Sequence, residues 1–352
     1  MQVARPYIIY NFAMKSLSIA TLALLIGSLT GCATMLFSSK DNADTRPETL
    51  YEWRLSDAST GMVLSLEALA QKLSRADVVV IGEYHGHQAA HLLQSQIQTA
   101  LYRQQPQQVL SMEQFNLDNQ AAVDAYLSGK TGETEFIEDS DAWPNYRASY
   151  RPLVEFARQH GLPVIAANAP AAMVRCVGRT GPEHLNQLPT NEQAQLPNNP
   201  FMDTPAYREK FDATLTSSHG AADDAMRERM NNTYHAQLLR DNTMASRILA
   251  ARKAHPQAQI IHTTGTFHSE EHLGTVALLK QRAPNISVAV ISPVVWPADA
   301  ETAPLHENQN KGDFLYFIQP LPTEFVDEDR EHKAMSARFK RPSDDTCPGD
   351  SP

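Results

Sequence analysis

Through the middle of the chain, β-type apolar runs alternate with amphipathic stretches, and this alternation predicts the architecture. Strands are predicted at 77–81, 108–112, 163–167, 258–263 and 287–291, with helices between them at 88–103, 119–127, 150–160, 232–254 and 272–282. The strands are apolar nearly throughout, as in Val78-Val79-Val80-Ile81, rather than alternating apolar with polar. Runs of that kind, separated by amphipathic helices, mark a parallel sheet covered on both faces. The expected class is therefore α/β, with a large, mainly parallel sheet flanked by helices. Ahead of it, Leu50 to Val63 offers a short strand pair and Leu64 to Ala70 starts a helix; after it, Asp313 to Gln319 adds an edge strand.

Residues 171–231 break the rhythm. They carry Pro182, Pro189, Pro197, Pro200 and Pro205 among polar turns, with helical pieces such as Tyr207 to Leu215 and no strong strand. This predicts a small helical insertion packed over the functional edge of the sheet. The α/β domain is expected over 50–320, and the polar tail 321–352 is expected to be disordered.

The N-terminus reads as an address. Lys15 precedes an apolar stretch from Leu17 to Leu29, too short to span a bilayer comfortably, which runs into Leu29-Thr30-Gly31-Cys32. Small residues before a lone cysteine match a bacterial lipoprotein signal, with Met14 as an alternative start. On this reading residues 1–31 are removed, Cys32 is lipidated and 32–49 form a tether. Ala33, where a protein kept at the inner membrane usually carries Asp, points to the outer membrane, lipid-anchored and facing the periplasm.

The formal charge is −10, and loss of Arg5 and Lys15 with the signal makes the mature chain more acidic still. With no basic run, the sequence argues against nucleic acid as a partner. Cys176 and Cys347 remain after export. A disulfide is permitted in that compartment, but one pair is no framework, and the pairing stays open.

Two loops concentrate the candidate chemistry: Gly82-Glu83-Tyr84-His85 and Gly265-Thr266-Phe267-His268. Each follows a predicted strand. The glycine is expected to permit a sharp turn, and the histidine to sit in the crevice at the carboxyl ends of the strands. His87/His91 and His268/His272 are four apart and would share helix faces. Glu83 and Glu113 lie at strand ends. His85, His268, Glu83 and Glu113 together would suit a divalent metal, with either glutamate as general base beside a bound water. The plainer reading is capping, with Ser269 as helix N-cap and Glu83 held by a helix dipole. His262 lies within its strand and reads as a core residue.

A second group is aromatic, Trp143-Pro144-Asn145-Tyr146-Arg147-Ala148-Ser149-Tyr150-Arg151-Pro152, with Pro152 suited to a first helical turn. Tyr150 or Tyr146 there is either an axial donor to ferric haem or a buried, hydrogen-bonded tyrosine. In the helix 232–254, Tyr234, His235, Gln237, Arg240 and Asp241 form a polar half, for which a solvated face is the expectation.

With these residues in place, the chain resembles the ChaN family of haem-binding lipoproteins from about Ser74 to Pro293. The resemblance rests on Val80-Ile81-Gly82-Glu83-Tyr84-His85, Ser111-Met112-Glu113-Gln114-Phe115, Tyr150-Arg151-Pro152-Leu153-Val154-Glu155-Phe156-Ala157, Ala236-Gln237-Leu238-Leu239-Arg240-Asp241-Asn242-Thr243-Met244-Ala245 and Gly265-Thr266-Phe267-His268. It implies haem uptake or storage, with an outer-membrane haem receptor as a possible partner. It also implies a homodimer enclosing two face-to-face haems, each iron held by one tyrosine, while a histidine and a lysine of the other monomer contact propionates. Tyr150 is the first choice for that tyrosine and Tyr146 the second; no motif assigns the lysine. The family is similar in turn to Tiki-type metalloproteases and erythromycin esterase-like enzymes. That wider likeness implies an alternative, a membrane-anchored metal-dependent hydrolase using Glu83, His85, Glu113 and His268.

Overall fold

The computed structural model describes residues 45–216, 223–339 and 347; Cys32 and the signal lie outside them. The described chain opens with β1 (Arg54–Asp57), β2 (Val63–Leu64), α1 (Leu66–Leu73), β3 (Val78–Glu83), α2 (Gln88–Gln104) and β4 (Gln108–Asn116). Four helices follow, α3 (Gln120–Leu127), α4 (Glu133–Asp139), α5 (Tyr146–Ser149) and α6 (Arg151–Gln159), before β5 (Val164–Asn168). Next come α7 (Ala171–Thr180), α8 (Thr190–Gln193), α9 (Pro205–Thr216) and α10 (Asp224–Ala254). The chain continues through β6 (Gln259–Gly265), α11 (Thr275–Arg282), β7 (Val288–Val295), β8 (Phe314–Ile318) and α12 (Glu328–Phe339).

The strands form one sheet in the order β2-β1-β8-β7-β3-β6-β4-β5. From β8 to β5 all pairings are parallel, and only β1 and β2 join antiparallel at one edge. The α/β class with a mainly parallel sheet holds. Successive residues of β3 feed opposite faces of the sheet. Val79 and Ile81 pack with Leu93, Ile97, Leu153 and Val154 of α2 and α6. Val78 and Val80 pack with Ala245, Ile248, Val276 and Leu279 of α10 and α11. Both faces are dry, which is why the strands read as continuous apolar runs.

Register then places the chemistry. Glu83, the last residue of β3, lies opposite Gly265, the last of β6, and His262 lies between Val80 and Ser111 of the flanking strands. The carboxyl ends of β3, β6 and β4 thus form one edge, the usual ligand crevice of such sheets.

Three boundaries differ from the sequence reading. α10 begins at Asp224, not 232, because Asp223 caps it, its carboxylate accepting from the Met226 N–H at 2.7 Å. The helix expected over 272–282 starts at Thr275. Glu271, His272 and Gly274 all have positive φ (62°, 57° and 53°), which no helix accommodates. His268 and His272 therefore share no helix face. The tail expected to be disordered holds α12, whose first turn carries Glu328, Asp329 and Glu331 and is capped by Asp327.

Cys176 of α7 and Cys347 form a disulfide, closing a loop of 171 residues. Cys176→Ser is expected to lower stability by about 2–4 kcal/mol. Urea unfolding with and without reductant checks this, with equal curves for the variant and the reduced wild type as the expected result.

Candidate functional site

The first loop builds a carboxylate–imidazole pair. Glu83 is 1% exposed. Its Oε1 accepts from the Tyr150 hydroxyl at 2.7 Å and from Gln114 Nε2 at 3.3 Å, and lies 2.7 Å from His85 Nδ1. Its Oε2 accepts from Gln94 Nε2 at 2.6 Å. Burial pushes the Glu83 carboxyl up, but the His85 bond, the nearby His91 and the Tyr150 hydroxyl outweigh it and leave it below the usual range. His85 has a side chain 47% exposed. Burial lowers its pKa, while Glu83 and Glu113 raise it more. This is an imidazole at the solvent side of the cleft, oriented from behind by a carboxylate.

The second loop builds the opposite arrangement. His268 is buried, its Nδ1 2.8 Å from Asp241 Oδ1 and its Nε2 3.4 Å from Glu113 Oε1. Burial opposes its charge, yet Asp241 and Glu113 lift its pKa to about 10, so it stands as an imidazolium. Both carboxylates are held by further donors. Glu113 Oε2 accepts from Thr264 Oγ1 and the Gly265 N–H, both at 2.7 Å. Asp241 accepts from Thr275 Oγ1 at 2.8 Å and the Tyr207 hydroxyl at 2.6 Å. Burial pushes the Glu113 carboxyl up, but His268 and His85 hold it far below the ordinary range.

The loop glycines act through space rather than through a turn. Gly265 has φ −62°, open to any residue, but a Cβ there would stand 2.9 Å from His85 Nε2. At Gly82 a Cβ would meet Ser269 Oγ at 3.1 Å. Ser269 precedes the short 3-10 turn Glu270–His272, but its side chain makes no capping bond; its hydroxyl faces the Gly265 carbonyl. The strained glycine is Gly274, where positive φ combines with a Cβ position 2.7 Å from the His268 carbonyl oxygen.

His87, His91 and His262 are structural. His87 caps α2, accepting from the Ala89 N–H, and its Nε2 meets the Gln319 carbonyl at 2.8 Å. His91 accepts from the Gly86 N–H at 3.1 Å. His262 is fully buried against Ser111 and neutral, with burial lowering its pKa to about 4.

Both candidate tyrosines are buried. Tyr150 gives its hydroxyl to Glu83 and packs edge-on against His91 at 4.9 Å. Tyr146 is 1% exposed, packs between Phe115 and Phe136, and its hydroxyl has no partner among the described residues. Burial pushes both phenols well above their ordinary pKa. In this arrangement neither presents an oxygen at the surface. Trp143 is half-buried at the rim, its ring 4.9 Å from that of His85.

The polar half of α10 faces the cleft, not solvent. Asp241 is buried, and the Gln237 side chain lies against the His268 ring, its Nε2 3.1 Å from one ring nitrogen and 3.3 Å from the other. The sequence reading missed Gln94, Gln114, Tyr207, Thr264 and Thr275. Gln114 and Thr264 adjoin residues it had named; Tyr207 and Thr275 carry no local signal, since only the tertiary fold brings them to Asp241.

Removing one member of a buried ion pair costs about 3–5 kcal/mol, so Asp241→Ala is expected to destabilise by about that amount in urea. The His268 pKa is raised on folding from 6.5 to about 10. Its stabilisation is therefore complete below the lower value and lost as pH climbs through the upper one. Wild type should weaken between these values, and His268→Gln should flatten that dependence.

The family model described as haem-binding uptake, Tiki superfamily, ChaN matches residues 69–279. No curated protein is significantly similar to the chain. Among solved structures, ChaN of Campylobacter jejuni, described with cofacial haem binding, aligns at 15% identity and TM-score 0.58, covering 76% of this chain and 97% of that one. An erythromycin esterase mutant in its open conformation aligns at 13% identity and TM-score 0.42, over 81% of this chain and 87% of its own. A Bacillus cereus protein aligns at 12% identity and TM-score 0.43, over 78% and 94%. The first likeness shows a shared fold; the other two are too loose to bear on the site. Matched by the family model over more than half its length, the chain belongs to the haem-binding uptake, ChaN family of the Tiki superfamily.

Proposed function

We propose that this protein binds haem at the carboxyl edge of its sheet and serves haem or iron uptake or storage. The observation that carries the reading is membership of a haem-binding uptake family across residues 69–279. The rim supplies part of what a haem requires, since Trp143 and His85 offer ring surfaces to a flat ligand. It does not supply a tyrosinate. Ligation by Tyr150 requires its hydroxyl to leave Glu83, and ligation by Tyr146 requires its ring to leave the core.

The reading extends to location and assembly. Cys32 carries the lipid anchor, the outer membrane holds the protein facing the periplasm, and a homodimer forms around two haems. An outer-membrane haem receptor is the partner that fits such a role. The lipoprotein-type signal at the N-terminus supports the anchor. Among the described residues no helix is long and apolar enough to cross a membrane.

A second reading rests on the 2.7 Å bond between Glu83 and His85. A carboxylate-backed imidazole at a cleft is the arrangement of a general base, with Glu83 fixing the ring and His85 taking a proton from water. The four-residue metal set does not fit as it stands. Among the described residues no group of three or more such side chains is placed to hold a metal ion, and both oxygens of Glu83 and Oε2 of Glu113 accept from protein donors.

Titration of the purified protein with haemin, followed by absorption, tests the first reading; a saturable Soret change is expected, and its absence overturns it. Tyr150→Phe reports the donor, because loss of the wild-type spectrum shows that the hydroxyl leaves Glu83, and an unchanged spectrum places the donor elsewhere. Ester hydrolysis tests the second reading. His85→Ala should lower kcat by about 10²-fold or more.

A further inference from the structure

Arg240 stands out among the cations of the cleft. It lies on α10, three residues after Gln237 and one before Asp241, on the helix face that meets His268. Its side chain is half-buried, yet among the described residues the guanidinium forms no hydrogen bond and no ion pair. Its neighbours on the same helix behave otherwise. Arg247 donates to the Ala166 carbonyl and to Gln120, and Arg252 pairs with Asp77 at 2.8 Å.

Nearby carboxylates do not absorb it. Glu113 and Asp241 are close enough to favour its charge against the burial that opposes it. Their oxygens, however, already face Thr264, the Gly265 N–H, Thr275, Tyr207 and His268. The guanidinium is thus partly stripped of water with its fork of donors still open. A desolvated charge without hydrogen-bonding partners is costly unless something completes it. A planar carboxylate matches that fork with two parallel bonds. A dianionic phosphate suits the place less well, because Glu113 and Asp241 would repel its second charge.

We propose that Arg240 is the anchor of this cleft for a carboxylate-bearing ligand, which it grips at one end while His85 and Trp143 border the other. The inference rests on the cleft being the ligand site proposed above. A haem propionate and the carboxylate of a small organic acid share the required chemistry.

Three probes separate the sources: haemin, haemin dimethyl ester and benzoate. Binding of the porphyrins is read by absorption, and that of benzoate by calorimetry and by the ring signals of His85. In wild type, haemin should bind about tenfold or more tightly than its diester, the range expected for one charge-assisted pair. Arg240→Gln should remove that difference and leave diester binding unchanged. Arg240→Lys, which keeps the charge without the fork, should restore only part of it. Benzoate binding that depends on Arg240, with no haemin binding, sustains the anchor while defeating the haem reading. The anchor is overturned if wild type binds diester and haemin equally, if it binds neither haemin nor benzoate, or if Arg240→Gln binds both as wild type does. Should Arg240→Gln fail to fold, the wild-type comparison of acid with diester and the Arg240→Lys affinities decide alone.

Discussion

The cleft depends on one buried imidazolium. His268 is clamped between Asp241 of α10 and Glu113 of β4, and these elements are far apart in sequence. Its charge permits two carboxylates to be buried side by side; without it they would repel each other across a medium that screens poorly. Asp241 in turn receives Tyr207 from α9 and Thr275 from α11. One proton on one ring therefore ties the helical insertion to the sheet edge. Attraction of this kind barely exceeds the cost of desolvation, so its value here is positional: it fixes where α10 lies over β6.

The two loops show how one motif yields two different groups. Each places a histidine three residues after a glycine at the end of a parallel strand. His85 has one carboxylate behind it and solvent beside it, so its ring can exchange a proton. His268 has carboxylates on both nitrogens and none of that freedom. Environment rather than sequence divides their roles, as it does wherever paired titratable groups are driven apart. The loops touch at Gly265, whose missing Cβ leaves room for His85 Nε2.

Much of this was legible in the chain. Dry strands such as Val78 to Ile81 gave away a sheet covered on both faces, and the loop positions located its functional edge. Glu83, Glu113, His85 and His268 were named from spacing, and all four meet there. Three things were not legible. The glycines looked like turn residues, whereas their job is close approach, a tertiary property. α10 looked solvated in its polar half because helical periodicity cannot say that a second polar surface awaits it; Asp241 is buried only because His268 is there. The tyrosines at 146 and 150 share a local pattern that fits a rim as well as a core. Only the aromatic neighbours Phe115 and Phe136, and the carboxylate of Glu83, decide for the interior.

The interior placement of Tyr150 bears on how a ligand could act at this edge. Its hydroxyl is one of several donors on Glu83, with Gln94, Gln114 and His85 the others. Withdrawing it leaves that carboxylate still held by three partners, so Glu83 tolerates the loss better than a singly bonded acid would. Tyr146 has no such reserve, since moving it opens a cavity between Phe115 and Phe136, and large-to-small changes in a core cost about 3–5 kcal/mol. Tyr150 is buried as fully as Tyr146, so turning either ring outward to meet an iron opens a cavity of this kind; only the exit of Tyr150 also bears on Glu83. Its exit would also free an acceptor on Glu83 for His85, raising the basicity of the imidazole at the rim. On that route ligand capture and proton affinity at this edge would be coupled through a single carboxylate.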